Sequence, residues 1–267
     1  MKNYKLRIAS FLTLLACVAL LPAKASEFSD YTVTSQRFSQ LVAYSANKHS
    51  MPLVSEPDAA KLLATLSDYH RFLETRPFTS QDLGSLMGMC EAANRATMAY
   101  MLFDLGRYLD KSIRNPVAAA QITGTVARRN AVKYQDEATP LLAFHNRCLA
   151  KELPLVTEFA ANLKAEEFTA VRREGLAQAR RGVYGSYISM VRIAIDAAVS
   201  LRNRRDIFTV MVEVSPLYAQ VLNLEARQQA YDYLSSQADS IPVEFLGPYQ
   251  QLLKDLNSTS CEGLCRL

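Results

Sequence analysis

No tryptophan occurs anywhere in the 267-residue chain. Clefts that grip sugars commonly stack them on broad aromatic faces, so its absence tilts mildly against a glycan-processing enzyme. Histidine is nearly as scarce. Only His49, His70 and His145 occur, and none forms H-x-x-x-H or H-E-x-x-H, so a helical zinc hydrolase site has no support. The G-x-S-x-G elbow, the Walker loop, the dinucleotide fingerprint and the S-x-x-K series of penicillin-recognising enzymes are missing too. The adjacent carboxylates Asp136-Glu137 and Glu166-Glu167 would point to different faces of a helix. An acid–base pair would therefore have to be assembled by the fold from distant residues. No spacing calls for a metal or an organic cofactor.

Gly/Ser linkers, low-complexity segments and a repeat of fixed period are also lacking. Net charge disappears once the N-terminus is set aside. The formal +4 resides in Lys2, Lys5, Arg7 and Lys24, which face no acid within residues 1–25; the rest of the chain balances 26 acidic residues with as many basic ones. Nonspecific nucleic-acid binding rests on excess positive charge, so nucleic acid is not an expected partner.

What is present begins with "MKNYKLRIASFLTLLACVALLPAKASEF". A basic start, an apolar stretch from Ile8 to Leu21 and Ala23-Lys24-Ala25 form a secretory signal, with cleavage expected after Ala25. The apolar stretch is shorter than the roughly 20 residues a membrane span needs. The rival reading is a lipoprotein anchored at Cys17. It is weakened by the apolar residues that continue through Leu21, where a polar tether would normally begin. The expectation is an exported, periplasmic protein comprising residues 26–267, with no transmembrane segment after processing.

Cys17 leaves with the signal; Cys90, Cys148, Cys261 and Cys265 stay. In an oxidising compartment an even number reads as disulfides first, although sequence alone leaves three pairings open. The C-x3-C spacing makes Cys261–Cys265 the economical local pair, which leaves Cys90–Cys148 as a long-range clasp. A four-thiolate zinc site wants two such close pairs, and only one exists. His145 and Cys148 would be neighbours on a helix; a thiolate beside an imidazole is sound chemistry, but a sulfur already in a disulfide cannot attack.

Helical periodicity runs through the remainder. Leu62, Leu66, Tyr69 and Leu73 share a face behind a start at Ser55-Glu56-Pro57-Asp58. Thr79-x-x-Asp82 has capping-box spacing and opens a run through Met87, Cys90, Met98 and Met101. Asn115-Pro116 starts a helix expected to continue past a kink near Pro140, with Pro154 breaking the chain again. A long helix is expected across 165–201, interrupted at Gly182 and Gly185, and further helices over 203–224, 224–237 and 247–256. Together these predict one all-α domain, an irregular bundle or two-layer array of about eight helices stapled by disulfides.

Charge is uneven along the balanced part. Residues 165–205 carry eight basic against four acidic groups, whereas residues 206–267 carry three against eight. Arginine forks bind carboxylates and phosphates bidentately, which nominates Arg173, Arg180 and Arg181 as a contact surface for an anionic partner. The competing account is a solvated face or a mate for the acidic C-terminal part. The functional expectation is a non-catalytic interaction protein of the cell envelope, working as an accessory subunit, inhibitor or immunity-type binder. Alternatives are an enzyme on cell-wall or lipid substrates, and a carrier of an apolar ligand suggested by the Met-rich 87–101 segment.

Overall fold

Residues 26–109, 115–258 and 264–266 are described by a computed structural model. The signal segment, Cys17 and Cys261 lie outside them. The described residues form α-helices and short 3-10 turns, with no strand among them. In order the helices are α1 (Ser26–Ala46), α2 (Pro57–Leu66), α3 (Tyr69–Leu73), α4 (Leu83–Met101), α5 (Pro116–Lys133), α6 (Gln135–Ala161), α7 (Ala170–Ile195), α8 (Leu201–Val221), α9 (Leu224–Ser235) and α10 (Leu246–Leu256). None is long and apolar enough to cross a membrane.

These exceed the eight or so expected because α1 has no counterpart among the expected helices and one predicted helix is divided, while a second break is shifted. The Leu62–Leu73 face is cut where the Asp68 carboxylate accepts the Arg71 backbone N–H, starting α3 afresh. The second break falls at Tyr134 rather than at the prolines. Its side chain is buried against Tyr100 and Phe103, and anchoring that ring turns the chain between α5 and α6. Pro140 and Pro154 both sit inside α6, which runs on to Ala161. Likewise α7 passes through Gly182 and Gly185 unbroken, and neither glycine has a neighbour where a side chain would go.

Local starts follow the sequence chemistry. Asp82 accepts from the Thr79 N–H and hydroxyl at 2.9 and 3.0 Å, and the Arg76 guanidinium, bonded to the same carboxyl, holds its pKa down at about 2. Asn115 receives the Val117 N–H ahead of Pro116, whose missing donor costs nothing in a first turn. Thr169, Ser200 and Asn223 cap α7, α8 and α9 in the same manner.

At the centre α6 packs on α4 on one side and α8 on the other. Cys90 meets Cys148 while Tyr100 meets Tyr134, so α4 and α6 run antiparallel. Asn203 bonds Asp136, and Tyr218 bonds Asn146, so α8 runs parallel to α6. Beyond α4 lies α1, whose Tyr31 stacks on Phe144 with ring centroids 5.1 Å apart. Beyond α8 lie α7 and α10. Burying each of these large apolar side chains contributes roughly 1.5–3 kcal/mol, and one contiguous apolar cluster joins Tyr31 to Leu264.

The Cys90–Cys148 disulfide bolts α4 to α6, with Cα atoms 5.4 Å apart, as the spacing suggested. Cys265 is also disulfide-bonded; Cys261, its expected partner, lies outside the described residues.

Candidate binding groove

Only Val126, Asn130 and Ala131 are buried on α5. The face that α5 turns toward α7 carries mostly short side chains; the two helices approach each other over a short stretch, and a groove of about 1060 Å³ is lined by both. Val117, Ala120, Gly124, Arg128 and Ala131 form one wall. Ser189, Arg192 and Ile193 of α7 form the other, while Tyr233 and Gln237 at the end of α9 border it. Asp196 and Val199, in the turn between α7 and α8, also line it. The volume stands at the upper limit of the ~300–1,000 Å³ common for small-ligand sites, and the groove is half-open to solvent.

A single ion pair joins α5 to the α7–α8 turn among the described residues: Arg128 Nε donates to Asp196 Oδ2 at 2.7 Å. The Asp196 side chain is only 8 % exposed, Arg128 75 %. The bond from Arg128 lowers the Asp196 pKa against the opposing effect of burial, and the Ala198 N–H supports it from the other oxygen. This carboxylate is therefore held ionised and occupied. Arg192 is exposed and has no ion pair among the described residues; its guanidinium lies 5.9 Å from the Tyr233 ring centre.

The arginines singled out in the sequence are dispersed. Arg173 is exposed and donates to the Phe168 carbonyl at 2.8 Å, bracing the first turn of α7. Arg181 pairs with Glu174 in solvent. Arg180 turns inward: it donates to the Val221 carbonyl at 3.1 Å and to the Leu264 carbonyl, tying α7 to the end of α8 and to the C-terminal turn. None of the three lines the groove. Two other arginines do: Arg192, one of the eight basic residues of 165–205, and Arg128, which lies outside that basic stretch. A signal for Arg128 exists, since α5 carries Arg128, Arg129 and Lys133 and no acid, but the surrounding sequence is of mixed charge and masks it.

No constellation for catalysis forms among the described residues. Asp136 accepts from Asn203, and the buried Glu137 accepts the Val54 N–H. Glu152 is pushed up to about 7, through burial alone, so no second carboxylate helps to raise it. His145 is fully enclosed beside the disulfide, 3.1 Å from the Cys90 carbonyl, and burial pushes it down to about 4. Both of its potential sulfur partners are oxidised. No group of three or more metal-ligating side chains converges among the described residues. Most of the Met-rich segment is filler: Met89 is buried in the core, Met98 faces solvent, and Met101 alone reaches the groove.

No protein-family model matches the chain, nor does any curated protein or solved structure.

Proposed function

We propose that the chain is an exported, periplasmic binding protein without catalytic activity, and that it engages a protein partner through the groove between α5 and α7. The observation that carries this reading is the groove itself: a long open channel with short side chains on one wall and an ionically unpaired Arg192 on the other. The carboxylate-pair enzyme would need two converging acids, and among the described residues Asp196 alone lines the channel. An apolar-ligand carrier needs an enclosed cavity, whereas this channel is open and includes two arginines and an aspartate.

Filling the channel tests the proposal. Gly124 lines it and has open space where a side chain would begin, so Gly124→Leu projects into the groove while improving helix propensity. Affinity capture of the processed protein from envelope extract is expected to retain a partner with the native chain and lose it with Gly124→Leu, at equal thermal stability. Undiminished capture by the filled variant, or turnover of an envelope substrate by the native chain, would overturn the reading.

A further inference from the structure

We propose that the occupant of this groove is an acidic amphipathic helix of the partner protein, lying between α5 and α7 with a carboxylate on Arg192. The inference rests on the reading of the groove as a protein-binding site and names what fills it.

Charge points to the acidic character. Helices α5 and α7 together carry eight cations against one acid, Glu174, and two of those cations, Arg128 and Arg192, line the groove. Elsewhere residues 26–267 must hold an excess of acid, because the whole of that stretch is balanced. Among the described residues the one acid lining the groove, Asp196, is already paired with Arg128. Arg192 is left facing the channel with its fork unmatched by any described carboxylate, and a carboxylate is the group that matches it bidentately.

The walls point to a helix. Both are α-helices, whose backbone N–H and C=O groups are bonded internally. They can offer an incoming extended strand no ladder, so its own backbone groups would be desolvated without partners. A helix brings its backbone already satisfied and needs only side-chain contacts. The groove-facing positions of α5 run from Val117 to Ala131, about 21 Å of helix at 1.5 Å per residue, which matches a guest of about four turns. The short side chains at Ala120 and Gly124 would let it approach closely, while Ile193 and Val199 receive its apolar face. Single-stranded nucleic acid would want stacking platforms, and among the described residues Tyr233 alone is an aromatic lining the groove.

The test places the photo-reactive amino acid p-benzoylphenylalanine at Gln121 or Ser189 in the groove, and at Val33 on distant α1, in the full chain expressed in its exporting host. Adducts from the two groove positions are expected to map by mass spectrometry to an acidic helical segment of one protein. Arg192→Glu should cut the adduct at least tenfold, and changing an acidic residue of that segment to lysine should restore it. Should Arg192→Glu fold poorly, Arg192→Gln provides the same comparison with a smaller expected loss. Asp196→Asn, which keeps the acceptor for the Ala198 N–H but releases Arg128, should raise the yield severalfold. Adducts to lipid, to a second copy of this chain or to a neutral or basic segment overturn the inference, as does a yield indifferent to Arg192. If the groove positions cross-link to a neutral or basic protein segment, the acidic-helix inference fails while the groove reading survives; if only Val33 gives an adduct, both fail. If no position gives one, both fail.

Discussion

Consecutive helices α5 and α6 meet at Tyr134 yet are held in the fold very differently. Of the 27 residues of α6, twelve are buried, Leu141, Phe144 and Cys148 among them; of the 18 residues of α5, three are. The difference lies in side-chain volume. Alanine, glycine and threonine on α5 remove little apolar area from water, whereas leucine and phenylalanine on α6 remove much. One helix thus anchors the core, and its neighbour offers a wall with space in front of it.

Removing the disulfide should sharpen this contrast most. Replacing Cys90 and Cys148 together releases a loop spanning 58 positions, which the chain-entropy model values at about 4 kcal/mol. A clear fall in melting temperature is expected, with α5 amides exchanging hydrogen fast before and after the change. Protection on α5 equal to that on α6 in the native protein would erase the contrast.

Acid should act on the anchored half next. His145 takes up a proton near pH 6.5 in the unfolded chain but only near 4 when folded. Stability is therefore complete with respect to this ring above 6.5, and falls as the pH drops from 6.5 toward 4, by on the order of 3 kcal/mol. Glu152 works in the opposite direction. Its carboxyl holds a proton up to about pH 7 when folded and releases it near 4.5 when unfolded, so it lowers stability as the pH rises from 4.5 through 7. The two trends oppose each other over most of the same window. Glu152→Gln should raise stability at pH 8 by about 1–2 kcal/mol, discounted because the residue is partly exposed, and should steepen the acid limb left to His145. Denaturant melts at pH 5, 6.5 and 8 measure both effects; an unchanged pH profile in Glu152→Gln contradicts the account.

The smallest effect belongs to the thin wall. Gly124→Ala places a methyl group in open space on α5 and should stabilise by no more than about 1 kcal/mol. Destabilisation there would mean that α5 is packed more tightly than its burial indicates.

Much of this architecture can be read from residue order. The Thr79–Asp82 capping box, the Asn115-Pro116 start and the Cys90–Cys148 clasp are local or chemically distinctive, and they stand where spacing puts them. Breaks are harder to place, because a proline is visible in the sequence and tertiary anchoring is not. Pro140 and Pro154 lie inside α6, while the buried ring of Tyr134 makes the turn. The groove was invisible for a related reason. Its charged groups, Arg128, Arg192 and Asp196, stand 64 and 68 positions apart along the chain or four apart on one helix end, and only packing brings α5 opposite α7. Arg180 shows the converse. A run of arginines looks like a surface, but this one bonds two buried-side carbonyls, Val221 and Leu264, that no linear pattern reveals.

The shallow seating of α5 also bears on how such a protein can diverge. Fifteen of its eighteen positions are not buried, so random substitution there seldom meets the steric veto that guards α4, α6 and α8. A lineage could rewrite the face it presents to the groove, position by position, without refolding the scaffold behind it. Variation should therefore accumulate on α5 faster than on α6, and new partner preferences could arise by drift along a single helix.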